Sequence, residues 1–375
     1  MKKPSTLLRS FSSRLSTRLA LAPSPAVAPW PPVRSSYDRW LASELDQLRA
    51  DPLAPCTSAA WLGRALSLAV AAQRRLVASG TATASSGASS IDRRTIDECV
   101  DDTAELLDAC AGLLDRLDTL RGYVAATHTA LHWLEGGGAH GETAAARRAA
   151  AAFAECEAVE RRCGAELAKC GSNLRRLGER ALLLRTTRQQ QATATTGAHC
   201  WSDEEAVSGG RALALLAVGA LGTALAFRPR RSSVCGLAGK AAVAQYWECA
   251  LQDVHRHVRE EYDRRRKEGV PCMAELDAAA AASRAARCAV ASGRGRCPET
   301  VVAEARRRCD ELDGTVAAFE EKVGELRREL IAVRMLLLEW AQIAGGHEVL
   351  RFACTAAHSE ASCPRLSRSK RSDLN

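Results

Sequence analysis

A run of apolar residues near the C-terminal end constrains the fold of this chain more than any other feature. These residues recur at alternating steps of three and four, which places them on one face of a helix, as in long helices that pack against each other. Arginine, glutamate and aspartate dominate the positions between them. The pattern predicts a heptad helix over residues 299–342, with a packing seam formed by Leu312, Val316, Phe319, Val323, Leu326, Leu330, Val333 and Leu337.

Composition extends this prediction to the whole chain of 375 residues. Aromatic residues make up only 4% of the sequence, and the abundant residues are alanine, leucine, arginine and glutamate. These are the strongest helix formers, whereas a large sheet needs more β-branched and aromatic residues. The sequence therefore predicts an all-α fold: an elongated bundle of long antiparallel helices with a C-terminal helix that resembles a coiled coil.

Shifts in composition divide the chain into parts. The first acidic residue is Asp38, and the segment before it is basic and rich in serine and proline, which is typical of a disordered tail or of an organelle transit peptide. The predicted parts are this segment (1–37), an N-terminal helical bundle (38–186), a polar linker (187–210), an apolar segment with basic flanks (211–231), C-terminal helices (236–345) and a tail (346–375).

The apolar segment has no charged residue between positions 212 and 227. A membrane-spanning helix needs about 20 apolar residues, with roughly 17 as the short limit. Three interpretations therefore stay open: a short membrane span, half of an embedded hairpin, or a buried core helix. If the segment spans a membrane, the arginines that follow it predict a cytosolic C-terminal half. The residues that mark the segment are Ala212, Leu216, Gly219, Gly222 and Phe227.

No motif in the sequence predicts a catalytic, cofactor or metal site. The G-x-G-x-x-G pattern at 136–141 follows a predicted helix rather than a strand, so it indicates a connection between helices. His128 and His132 share a helix face, but two ligands do not define a zinc site. The 15 cysteines are odd in number and lack any C-x-x-C pair, which favours reduced, mostly buried thiols.

Charge and patterning limit the partners that the chain is expected to bind. The formal net charge is +8, but acidic and basic residues alternate along most of the chain, as on solvated helix faces. Basic patches interleaved with aromatic residues, which stack on nucleic-acid bases, do not occur. We expect no nucleic-acid binding. The seam instead predicts a protein partner or self-association through helices, and the apolar segment predicts a possible membrane contact.

Two stretches of the sequence resemble the plant BYPASS family. The first is Ile96–Cys110 (IDECVDDTAELLDAC), which is followed by the close Ala130–Glu135 (ALHWLE). The second is a series of features in a fixed order. An apolar stretch is preceded by Gly210 and Arg211, and it is followed by Ala244-Gln245 and then by a helix face that contains Leu251-Gln252. The resemblance covers roughly residues 40–350. It implies a plant protein of root and shoot development that limits production of a mobile, root-derived signal, and it carries over no catalytic residues.

Together these observations lead to a hypothesis of a non-enzymatic regulatory or scaffold protein. The alternatives are a coiled-coil adaptor in membrane traffic and an enzyme of signal metabolism, which the lack of paired catalytic motifs disfavours. The expected location is a membrane, with the C-terminal half in the cytosol. The alternative is the chloroplast, because the first 37 residues resemble a transit peptide.

Overall fold

A computed structural model describes residues 35–50, 54–86, 91, 93–135, 144–162, 177, 201–228, 246–292 and 297–361 of the chain. All regular secondary structure within these residues is α-helical, which confirms the predicted fold class. The helices are α1 (Ser36–Ala50), α2 (Ala59–Ser86), α3 (Arg93–Glu135), α4 (144–162), α5 (Trp201–Ala224), α6 (Tyr246–Glu268), α7 (Ala274–Ala291) and α8 (Glu299–Ala361).

Two long helices set the elongated shape. The 63 residues of α8 and the 43 residues of α3 correspond to about 95 Å and about 65 Å of helix, at 1.5 Å per residue. They lie antiparallel, because the end of α3 contacts the start of α8 and the start of α3 contacts a later part of α8. Arg306 Nη2 is 2.6 Å from Glu135 Oε2 at one end, and Arg93 Nη1 donates to the Ala341 carbonyl at 2.8 Å at the other.

The other helices pack around this pair. Helix α2 packs against both α8 and α5, and α5 also contacts α3 and α1. Helix α7 packs against the first part of α8, and α1 packs against α6. Helix α4 covers the second half of α3, where Cys156 Sγ lies 3.4 Å from Thr127 Oγ1. The result is a bundle whose centre is formed by α2, α3, α5 and α8.

Helix ends are capped by residues from other helices. The Asp38 carboxylate of α1 accepts a hydrogen bond at 2.9 Å from the backbone N–H of Trp247, the second residue of α6. The Glu275 carboxylate of α7 accepts one at 3.0 Å from the N–H of Ala59, the first residue of α2. The first N–H groups of a helix have no partner within it. These carboxylates accept hydrogen bonds from such N–H groups and interact favourably with the positive end of the helix dipole.

The parts that composition separates share one core in the structure. The largest hydrophobic cluster contains residues from α1 to α8, so the predicted N-terminal bundle and C-terminal helices are packed together. Residues 201–210 of the predicted polar linker form the start of α5. Helix α8 continues past the predicted end at 342 to Ala361. Helix α2 runs to Ser86, and its Gly80 lies close to Leu336 and Trp340 of α8.

Candidate functional site

Residues 212–224 of the apolar segment form the second half of α5, residues 225–227 follow its end, and the segment lies inside the bundle. Leu216 is 1% exposed, Ala212 and Phe227 are buried, and both Gly219 and Gly222 are buried. Glu204–Ala224 is long and apolar enough to cross a membrane, with a mean hydropathy of 1.4, and 89% of that window is buried by the protein. Of the helices searched in the described residues, it alone meets these criteria. The structure therefore encloses the segment with helices of the same chain.

Polar side chains from α2 and α3 anchor α5 within the core. Arg211 Nη1 lies 2.6 Å from Asp102 Oδ2, and the two side chains are 11% and 4% exposed. Gln73 Nε2 donates to the Gly210 carbonyl at 2.8 Å. Because ionised and polar groups are costly to bury without partners, these contacts fix the position of α5 along α2 and α3.

A second anchor lies further along α5. The guanidinium of Arg116, which is only 8% exposed, donates to the Gly222 carbonyl at 3.0 Å. The side chain of Arg116 thus spans from α3 to the C-terminal part of the apolar segment. Withdrawal of α5 from the bundle would leave this buried donor and the Asp102 carboxylate without these partners.

The start of α5 packs closely on α1. Ser35 Oγ donates to Glu205 Oε2 at 2.6 Å, and burial together with the Glu205 carboxylate raises the pKa of Tyr37. A Cβ atom at Gly209 would lie 2.7 Å from the Tyr37 hydroxyl and 2.9 Å from Leu41. Only a residue without a side chain allows α1 and α5 to approach this closely.

The predicted seam on α8 faces the interior along its whole length. All eight of its residues are buried, and each is at most 3% exposed. The first six belong to the main hydrophobic cluster. Val333 and Leu337 belong to a second cluster with Leu76 of α2, Ile96 of α3 and Val207 of α5. The Arg211–Asp102 and Gln73–Gly210 contacts lie between these two clusters along the bundle.

The opposite face of α8 carries apolar residues that no described helix covers. Ile331, Met335 and Leu338 are 45%, 63% and 39% exposed, and they are the exposed large hydrophobic residues of the described chain. Their spacing of four and three places them side by side on one helix face. We call Ile331, Met335 and Leu338 the outer stripe. Sequence analysis missed it, although the almost continuous apolar run from Leu330 to Ala341 is a signal for it.

The two histidines that share a face of α3 lie beside the start of α8. His128 Nε2 is 3.3 Å from Asp310 Oδ1, and His132 packs edge-on against Trp133. No group of three or more histidine, cysteine, aspartate or glutamate side chains in the described residues is arranged to hold a metal ion. The glycine-rich pattern at 136–141 lies outside the described residues.

The described cysteines are free thiols, and six of the nine are buried. Burial raises the pKa of Cys56, Cys272 and Cys309 to about 12 in each case. Since the thiolate is the reactive form of cysteine, these three side chains act as packing residues at neutral pH.

Comparisons with known proteins found no relative. No protein-family model, no curated protein and no solved structure matches the chain.

Proposed function

We propose that this chain is a non-enzymatic helical scaffold protein that acts by binding another protein through the outer stripe of α8. The outer stripe carries this proposal. Large apolar side chains that are exposed together on one helix face are typical of protein interfaces, whereas single exposed ones are common everywhere. The remaining large apolar residues of the described chain are buried or partly buried.

The biological setting that we propose is the control of root and shoot growth in a plant, through a limit on production of a mobile root signal. Support comes from the sequence resemblance to the BYPASS family. Its two motif stretches, Ile96–Cys110 and Ala130–Glu135, lie on α3, and Gly210 and Arg211 lie on α5. Asp102 of Ile96–Cys110 lies 2.6 Å from Arg211, so these two parts of the resemblance meet in one contact.

A genetic experiment tests this setting. Plants that lack the gene are expected to show arrested shoots, and grafting their shoots onto normal roots is expected to restore growth. Normal shoots in plants without the gene would contradict the developmental role. Restored growth by a copy with both His128→Ala and His132→Ala is expected as well, because the proposed role needs no chemistry at this pair.

The same plants test the binding role. A copy carrying Met335→Glu and Leu338→Glu is expected to fail to restore growth, because charge on the outer stripe opposes burial against a partner. The matched control carries Ala317→Glu and Ala318→Glu, two exposed positions on an earlier part of α8. Full activity of the stripe variant would contradict a scaffold role through this surface.

For localisation we propose membrane association of the protein with its C-terminal half in the cytosol. In the arrangement described here α5 is enclosed, so attachment has to come from another surface or from release of α5. Alkaline carbonate washing of membranes from plant cells tests this, with a C-terminally tagged copy. Retention in the pellet is expected if α5 inserts in lipid, and release assigns α5 permanently to the core.

A second candidate function is a coiled-coil adaptor in membrane traffic, which the long α8 with its outer stripe also favours. Co-purification of a tethering complex with the tagged protein would distinguish it. Loss of that complex from the stripe variant, and its retention by the Ala317 and Ala318 control, would locate the binding surface.

A further inference from the structure

Residues 330–341 of α8 are apolar on nearly every side, but the described helices cover only one side of them. From Leu330 to Ala341 the sequence LIAVRMLLLEWA contains two charged residues. A helix that is hydrophobic all round is normally buried all round. Here Val333, Leu337 and Trp340 point into the second hydrophobic cluster. The residues of the outer stripe lie on the other face, exposed.

The outer stripe belongs to a longer heptad pattern. Positions 331, 335, 338 and 342 alternate by four, three and four residues, and Gln342 is exposed like the stripe. The sequence continues the alternation at Gly345, Val349, Phe352 and Ala356, within a helix that extends to Ala361. From 331 to 356 this amounts to about 39 Å of helix at 1.5 Å per residue. Six of these eight positions are apolar, and a heptad pattern of this length is typical of a helix that pairs with another.

We propose that the outer stripe binds the outer stripe of a second copy of this chain, in a parallel, in-register pair of α8 helices. Because this pairing would make the chain a dimeric scaffold, it deepens the proposed function and rests on it for its biological role. In heptad terms Met335 and Gln342 are a positions, and Ile331 and Leu338 are d positions. Each then packs against its own equivalent in the second copy.

Charge favours a second copy in this orientation. Arg334 occupies the g position before Met335; its Nη1 donates to the Val100 carbonyl of α3 at 2.5 Å, and its other N–H groups can serve the partner. Glu339 occupies the e position after Leu338 and is exposed. In parallel pairs a g residue lies beside the e residue of the next heptad in the other helix. Arg334 of each copy is therefore placed beside Glu339 of the other copy. Two attractive pairs therefore flank three apolar layers. A polar residue at one a position, here Gln342, is a common device that fixes register.

An antiparallel pair fits these charges less well. The register that packs Ile331 on Met335 of a second copy would place Arg334 opposite Arg334. It would also place Glu325 opposite Glu339. Like charges at these flanking positions oppose pairing.

The mass of the full chain in solution tests the proposal. Sedimentation equilibrium over a range of concentrations is expected to give twice the 40.1 kDa of one chain. The variant with Met335→Glu and Leu338→Glu is expected to sediment as a single chain, with its helicity and melting unchanged in dilute solution. The control with Ala317→Glu and Ala318→Glu is expected to remain a dimer. A native chain that stays monomeric, or a stripe variant that still dimerises, would overturn the proposal.

Two further variants test orientation and charge. Gln342→Cys is expected to form a disulfide-linked dimer rapidly under mild oxidation by oxidised glutathione, beyond the level of the native chain. Ala318→Cys is the control that is expected not to do so. Glu339→Arg is expected to weaken dimerisation at least tenfold, because it places Arg334 beside another cation. A dimer that neither variant affects would contradict the parallel register.

Lipid is the other class of surface that an apolar stripe can meet, and vesicles with 30% anionic lipid are the probe. Stripe-dependent binding of a monomer to these vesicles would overturn the proposal and assign the surface to a membrane. These measurements are independent of the grafting experiment. A monomeric protein that restores growth through its stripe would reject the second copy while the scaffold role stands.

Discussion

Residues 212–224 of α5 and residues 330–341 of α8 are both apolar on nearly every side, yet they lie in different surroundings. Helix α5 is enclosed by α1, α2 and α3, and buried polar contacts from Gln73, Asp102 and Arg116 hold it there. The 330–341 part of α8 is covered on one side and exposed on the other. All-round apolarity therefore indicates that a helix is to be buried. Specific polar contacts show whether other helices of the same chain bury it.

The largest expected effect separates the two faces of α8. Leu326→Asp with Leu330→Asp removes two leucines that are 0% and 1% exposed and buries two unpaired charges. Each lost leucine alone costs about 2–5 kcal/mol, so cooperative folding should be lost. Ile331→Asp with Met335→Asp, on the outer face, is the matched control and should keep its thermal transition. Equal melting of the two variants by circular dichroism would break the comparison.

The next effect tests the anchoring of α5. Asp102→Leu leaves Arg211 without its carboxylate partner in a buried site, which should reduce the free energy of unfolding by about 3–5 kcal/mol. The double variant Asp102→Leu with Arg211→Met should recover much of this loss, because it removes both charges. Denaturant unfolding of the native protein and of these two variants measures both effects.

An exposed ion pair on the same helix, α3, provides the control for the Asp102 variants. Arg94 and Glu98 are 3.1 Å apart, and Arg94 is 85% exposed. Glu98→Ala should change stability by less than about 1 kcal/mol, as is usual for surface pairs. A loss at Asp102 no larger than the loss at Glu98 would show that α5 is not held in the core by this pair.

A smaller effect concerns a buried polar group that has no such partner. His255 of α6 is 5% exposed, and burial lowers its pKa to about 4. Its neutral form therefore stabilises the fold above the unfolded pKa of about 6.5, and this stabilisation is lost as the pH falls toward 4. Between pH 7 and pH 5 the loss is about 2 kcal/mol.

Substitution at His255 isolates this contribution. In His255→Leu the decrease in unfolding free energy from pH 7 to pH 5 should be about 2 kcal/mol smaller than in the native protein. The same pH dependence in His255→Leu and in the native protein would contradict a neutral, buried His255.

An effect of similar or smaller size probes how closely α2 approaches the inner face of α8. A Cβ atom at Gly80 would lie 2.4 Å from Leu336 Cδ2 and 2.7 Å from Trp340 Cζ2, whereas one at Gly63 meets nothing within 4 Å. Gly63→Ala should therefore stabilise α2 by up to about 1 kcal/mol. Gly80→Ala should be about 1–3 kcal/mol less stable than Gly63→Ala, because the cluster has to shift. Identical melting temperatures of the two variants would contradict this close approach.

Several features of the fold and site were predictable, and others were not. The seam from Leu312 to Leu337 was visible because side chains on one helix face recur every three or four residues. The partner of Arg211 was not visible, since Asp102 lies more than a hundred residues earlier and either charge alone resembles a solvated surface residue. The stripe at Ile331, Met335 and Leu338 was hidden by the stronger seam on the same helix.

The capping carboxylates show the same limit. Asp38 and Glu275 look like ordinary helical acids in the sequence, and they cap α6 and α2 only because α1 and α7 are folded against those helices. A cap supplied from the residue just before a helix leaves a local signal, whereas a cap from another helix leaves none.

The sequence by itself determined that this protein is helical, that its longest helix has a packing face, and that the 212–227 segment avoids water. These properties follow from local propensity and from the 3.6-residue period of a helix. Only the tertiary structure decided which surfaces meet: that α5 lies among α1, α2 and α3, and that α8 buries its seam and leaves its outer stripe open. The reason is that apolar burial is non-directional, so the choice of neighbour depends on polar pairs and close contacts between residues far apart in the chain.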